Sequence, residues 1–153
     1  MTKVRTLEAL VAELAPLRRA GSRIALANGV FDLLHVGHLR YLEGAKALGD
    51  ILVVAVNSDA STRAYKGPGR PVIPCSERVE LLCGLSCTDF VVTFEAADVR
   101  PIIRTLKPDI HVKGTDYTPE SIPERDEVLA YGGRVAVAGD PKNHSTSALL
   151  KKR

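Results

Sequence analysis

A chain of 153 residues, 45% hydrophobic and 25% charged, is long enough for one domain with a buried core and too apolar to be disordered. Its net charge of +3 is scattered apart from the closing Lys151-Lys152-Arg153, which argues against nucleic acid as a principal partner. No stretch approaches a membrane span, and Glu8 and Glu13 interrupt the early apolar pattern in a way no signal peptide does.

Leu7, Leu10, Val11, Leu14 and Leu17 recur at helical spacing, which predicts a leading helix over residues 6–19, with Pro16 and Gly21 closing the pattern. Ile24–Ala27 predicts a short buried strand, and Leu39, Leu42, Ala45 and Leu48 predict a helix from about His38 to Leu48. The unbroken apolar run Ile51–Val56 predicts a central parallel strand covered on both faces, ending on Asn57-Ser58-Asp59. Residues 63–71 follow as a polar loop carrying Arg63, Lys66 and Arg70, suited either to plain surface or to a mobile anion clamp. A helix is expected from Ser76, capped by its hydroxyl, with Val79, Leu81, Leu82 and Leu85 on its apolar face. Arg78 falls in its first turn, where a cation opposes the helix dipole by about half a kcal/mol, so it is assigned to phosphate, with an ion pair to Glu77 or Glu80 as the alternative.

Three cysteines, Cys75, Cys83 and Cys87, lack Cys-x-x-Cys spacing, so neither a disulfide framework nor a zinc site is expected, in keeping with a reducing cytoplasm. Further strands are expected at Asp89–Phe94, Pro108–Val112 and Arg134–Ala138. Helices are expected from the Asp98 cap to Lys107 and from Pro123 to Tyr131. Asn143–Ser147 then precedes a capped helix start at Ala148 whose hydroxyls and N–H groups suit phosphate. Strands alternate with helices throughout, so residues 1–153 are expected to form an α/β fold: a single doubly wound, Rossmann-like domain on a parallel sheet of about five strands.

The stretch Asn28-Gly-Val-Phe-Asp-Leu-Leu-His35-Val-Gly-His38 sits where the first strand hands over to a helix. In an open parallel sheet that place is the ligand crevice, and a helix N-terminus there attracts phosphate. His35 and His38, three apart on a first turn, can face the same side and donate to an α-phosphate as charge builds on it. Donors of this kind are worth about 3–4 kcal/mol each in other enzymes. The structural alternative is a pair of part-buried histidines capping a turn. No Walker A loop, Gly-x-Gly-x-x-Gly fingerprint or Gly-x-Ser-x-Gly elbow is present. What remains is phosphate chemistry run by positioning and charge stabilisation, in which an already ionised phosphate attacks a nucleoside triphosphate and needs no general base.

The segment resembles the H-x-G-H signature of the cytidylyltransferase-like nucleotidyltransferases. With Val54–Asp59, Lys66-Gly67, Arg70–Val72, Glu77-Arg78, Lys113-Gly114, Asp116-Tyr117, Tyr131–Gly133 and Ser145-Thr146 in family order, the chain most resembles the bacterial heptose-1-phosphate adenylyltransferases. The resemblance implies AMP transfer from ATP to a sugar phosphate, giving ADP-heptose for cell-surface glycan, with Mg²⁺ carried by ATP, a homodimer, and neither membrane nor nucleic acid as partner. It implies that His35 and His38 stabilise the transition state and that Lys66 and Arg78 bind phosphates. Asn28, Gly29, Val30, Phe31, Asp32 and Gly37 then line the ATP site, and Ser145 and Thr146 hold the triphosphate. Asn57, Asp59, Lys113, Gly114, Asp116 and Tyr117 lie near base or sugar. Two departures stand out: the last motif reads Ser145-Thr146-Ser147 where the family commonly has Ser-Thr-Thr, and Thr118–Arg125 matches no family segment closely, which leaves the acceptor open. Glycerol-3-phosphate cytidylyltransferase and a nucleotide-binding module without turnover are the alternatives.

Overall fold

In the computed structural model, which describes residues 3–141, five parallel strands form one sheet. They are β1 (Ile24–Gly29), β2 (Ile51–Asn57), β3 (Phe90–Phe94), β4 (Ile110–Lys113) and β5 (Arg134–Val137), in the spatial order β3-β2-β1-β4-β5. Interleaved with them are α1 (Leu7–Arg19), α2 (Val36–Leu48), α3 (Asp59–Lys66), α4 (Cys75–Cys83), α5 (Arg100–Leu106) and α6 (Arg125–Ala130), with a 3₁₀ turn at Pro119–Ser121.

Alternation along the central strands decides which helix lies on which face. Ile24 and Leu26 of β1, with Val53 and Ala55 of β2, point into a core closed by Leu10 and Leu14 of α1, Ile102, Ile103 and Leu106 of α5, and Val128 of α6. Ala25, Ala27, Leu52, Val54 and Val56 point the other way, against Leu42 and Ala45 of α2 and Val79 and Leu82 of α4. The small residues on this second face bring α2 close. At Gly44 an added Cβ would stand 2.9 Å from the Ala138 Cβ, so α2 has no room for a side chain there. No helix among the described residues is long and apolar enough to cross a membrane.

α1 runs to Arg19 as its spacing predicts, with Pro16 inside it; Ala20 and Gly21 donate to the Pro16 and Arg18 carbonyls, and Arg18 donates to Leu106 O and Lys107 O at the end of α5. Several other local expectations need correction. Residues 59–66 form α3 rather than part of a loop: Ser58 caps it through the Ser61 N–H at 3.1 Å, and its buried residues, Ser61 and Thr62, are polar and leave no apolar period. α4 begins at Cys75 with Pro74 at the cap position, so Ser76 is inside the first turn and its hydroxyl is not the cap. The free Cys75 N–H donates instead to Asp59 Oδ1 at 2.9 Å. Leu81, placed on the apolar face by its spacing, is half exposed. At the sheet edge, residues 3–5 exchange backbone bonds with Val91, covering part of β3.

From β1 the chain passes to β2 on one side, while β4 pairs on the other. The carboxyl ends of β1 and β4 therefore flank the point where the strand order reverses, which is where open α/β sheets bind ligands.

Candidate active site

A cleft of about 760 Å³ opens at that point. The end of β1, the loop after it and the first turn of α2 supply Asn28–Asp32, His35, Gly37 and His38 to its wall; β2 supplies Asn57, α3 and the segment after it supply Tyr65, Lys66 and Arg70, and the end of β4 with the turn after it supplies Lys113–Tyr117.

The two histidines are held by the first turn of α2. His35 is its N-cap residue and accepts the Gly37 N–H at Nδ1 (3.1 Å), while His38 Nδ1 accepts the His35 N–H (3.2 Å). A nitrogen that accepts cannot carry the proton, so in the neutral rings both protons sit on Nε2. The ring centroids are 4.0 Å apart, so the pair acts as one unit, and Phe31 packs edge-on to His38 at 5.6 Å. The expected capping role and the expected donor role are thus compatible: Nδ1 caps, and Nε2 carries the donor.

The loop preceding the histidines has an unusual backbone. Phe31 (φ 55°) and Leu33 (φ 52°) both adopt left-handed conformations that L-residues disfavour, and such strain persists only where the surroundings over-determine it. Asp32, between them, does this. It is 1% exposed and accepts the Val72 N–H (2.7 Å), the Ile73 N–H (2.9 Å) and Arg70 Nε (3.1 Å). Burial disfavours its charge, but these three donors outweigh that and hold its carboxyl below the usual aspartate range. Asp32 therefore borders the cleft as a brace between two loops, and its carboxylate is engaged by protein rather than turned to nucleotide.

Arg78 is not brought to the cleft. It is fully buried and donates to Ile73 O (2.9 Å), Val30 O (2.6 Å), Asn57 O (2.8 Å) and Asp59 Oδ1 (2.8 Å). The cation that looked misplaced on a helix start instead satisfies carbonyls where the chain leaves β1 and β2. This corrects the expected phosphate role, and it also takes Asp59 out of the cleft, since that carboxylate pairs with Arg78 and with the Cys75 N–H.

Across the cleft, Lys113 Nζ lies 3.4 Å from Asn28 Oδ1 and 4.9 Å from the Tyr117 ring centroid. Lys66 remains on the wall beside Tyr65. Ser145 and Thr146 lie outside the described residues. Sequence reasoning missed Tyr41, whose hydroxyl accepts the Asn28 N–H and donates to Val112 O, joining β1 to β4 where they separate. Its position one turn after His38 was the available signal. It also did not single out Arg70 as the partner of Asp32, or Glu124, which lines the wall and pairs with the buried His111.

With this geometry in view, the family model for cytidylyltransferase-like proteins matches residues 26–150. The chain belongs to that family. Its curated relatives include the bifunctional protein HldE of Syntrophotalea carbinolica, 47% identical over 99% of this chain, and that of Geotalea uraniireducens, 45% identical over 98%. In both cases the chain spans about a third (31%) of the relative's length. Among solved structures, the lipopolysaccharide core biosynthesis protein of Thermoplasma volcanium superposes with a TM-score of 0.65 at 31% identity, covering 76% of this chain and 94% of that one. The pantoate-beta-alanine ligase of Francisella tularensis shares the fold alone, with a TM-score of 0.60 at 12% identity over 95% of this chain and 69% of that one. This cytidylyltransferase-like chain is a nucleotidyltransferase, and its histidine pair occupies the ligand crevice of a nucleotidyltransferase fold.

Proposed function

We propose that this nucleotidyltransferase joins AMP from ATP to a heptose 1-phosphate, yielding ADP-heptose and pyrophosphate for cell-surface glycan such as lipopolysaccharide core. The observation that carries the chemistry is the histidine pair with both Nδ1 atoms capped by backbone N–H groups. An oxygen of the sugar phosphate attacks the α-phosphorus, a new P–O bond forms, and the bond to the departing pyrophosphate breaks. Negative charge on the α-phosphate oxygens is met by the Nε2–H donors and by the positive end of α2. Lys66 holds phosphate from its place on the cleft wall. The attacking phosphate is ionised at neutral pH, so the site needs no base.

Mg²⁺ arrives on the triphosphate. An ion ligated chiefly by phosphate oxygens and water needs few protein ligands. The sugar is supported by the relatives, whose names place one in lipopolysaccharide core biosynthesis and call others bifunctional HldE. A homodimer working in the cytoplasm belongs to the same reading, and sedimentation of the purified chain tests the dimer.

The experiment is pyrophosphate release with Mg²⁺, crossing ATP, CTP and GTP with heptose 1-phosphate anomers and glycerol 3-phosphate. Turnover with ATP and a heptose 1-phosphate is expected. Turnover confined to CTP and glycerol 3-phosphate overturns the substrates while keeping the mechanism, and no turnover with any pair overturns the reading.

A further inference from the structure

The segment 118–125, which matches no family segment closely, carries a carboxylate at the cleft wall, that of Glu124. Glu124 is 5% exposed, and its Oε1 lies 2.8 Å from Nε2 of His111, which is fully buried in β4. Its second oxygen has no hydrogen-bond partner among the described residues. Glu124 occupies the N-cap position of α6, where an acidic side chain ordinarily caps the helix, yet it makes no cap bond. The side chain is committed elsewhere.

Its neighbours fix it firmly. The preceding Pro123 carbonyl is held by Arg100 Nη2 at 2.9 Å, and Ile122 before it is buried. His111 meanwhile leaves its own Nδ1 buried without a partner, a destabilising arrangement kept alongside the bond to Glu124. Burial opposes the charge on Glu124, but the His111 bond and the nearby Lys113 and Arg100 charges outweigh it and hold the carboxyl below the usual glutamate range. A fixed anion with one satisfied oxygen therefore borders a cleft that must receive polyphosphate. It repels phosphate, so the substrate part that meets it must be uncharged and rich in donors. Sugar hydroxyls are the groups of that kind on the substrates proposed above.

We propose that Glu124, positioned by His111, accepts hydrogen bonds from the hydroxyls of a substrate's sugar and so selects that substrate. The inference rests on the nucleotidyltransferase reading, and the sugar has two sources, the ribose of the nucleotide or the acceptor. Glu124→Gln is the informative variant. Its amide oxygen keeps the bond from His111 while an NH₂ group replaces the accepting oxygen in the cleft.

Calorimetric titration of wild type and variant with Mg²⁺ and ATP, 2′-deoxy-ATP, 3′-deoxy-ATP or heptose 1-phosphate separates the sources. If ribose is read, Glu124→Gln weakens ATP by about 10-fold or more, as expected for a bond to a charged acceptor, and one deoxy analogue binds both proteins alike. If the acceptor is read, heptose 1-phosphate weakens by that factor and all three nucleotides are unchanged. Equal affinities, within twofold, for every ligand overturn the inference. The double variant His111→Leu/Glu124→Leu leaves no unpaired buried charge and must show the same selective loss, which a merely structural pair would not produce. A wild type without pyrophosphate release would defeat the proposed reaction, while the affinity comparison would still decide the role of Glu124.

Discussion

Replacing Arg78 by Met separates a phosphate ligand from an internal strut. Met has similar length, fills much of the space and cannot donate, so the main loss is hydrogen bonding rather than volume. The guanidinium gives bonds of 2.6–2.9 Å to three backbone carbonyls, those of Val30, Asn57 and Ile73, and one of 2.8 Å to Asp59. Each buried carbonyl left without its donor costs about 1–3 kcal/mol. Asp59 is part-exposed and recovers water, and removing a buried charge offsets some of the loss. A net destabilisation of about 4 kcal/mol follows, a large share of the roughly 5–15 kcal/mol typical of a domain. At about 2–4 °C per kcal/mol for a chain of this size, Tm falls by about 8–16 °C. Urea and thermal unfolding followed by circular dichroism measure this directly. The strut would be refuted by a variant with wild-type Tm and urea midpoint whose only defect is weakened ATP binding. Arg78→Lys keeps the charge but loses the planar fork, so an intermediate drop is expected.

His38→Asn retains an acceptor near the His35 N–H but withdraws the donor from the cleft; kcat should fall by about 100- to 1000-fold with Tm nearly unchanged, and undiminished turnover would reject the donor role. Asp32 has a depressed pKa in the fold, so its contribution is fully present above the ordinary aspartate value of about 3.9 and is lost as pH falls through the lower folded value. Asp32→Asn should therefore be less stable at neutral pH and show a shallower acid limb in unfolding midpoints measured from pH 7 down to pH 2, and superimposable pH profiles would exclude this. Gly44→Ala places a Cβ 2.9 Å from Ala138, and overpacking of that kind costs about 1–3 kcal/mol, visible as a lower urea midpoint; a gain from the better helix former would show that α2 can shift.

The parts of the molecule legible in the sequence were those with a strong period. β2 is a run of apolar residues, and β1 followed by His35-Val-Gly-His38 announced both the crevice and the turn that borders it. α3 was invisible because the residues it buries are Ser61 and Thr62, whose inward face carries no hydrophobic signal. Arg78 drew notice because it opposes a helix dipole, and the clue was sound, but a dipole says only that a cation has another partner. Whether that partner is a phosphate or three carbonyls depends on where β1 and β2 end relative to α4, which no local pattern encodes. Asp32 posed the same difficulty: its partners at Val72 and Ile73 are forty residues away in sequence.

His38, Tyr41 and Gly44 fall at three-residue intervals along α2, a stripe that meets the sheet and the chain beyond β5. The first belongs to the cleft, the second bolts the helix across the gap between β1 and β4, and the third sets how closely the helix seats beside Ala138. α2 thus works as an indexed part whose seating fixes the aim of its own tip. Precision at His38 is inherited from tolerances one and two turns away. Changes at Tyr41 or Gly44 should therefore appear in turnover as misalignment, without either residue touching the bond that breaks.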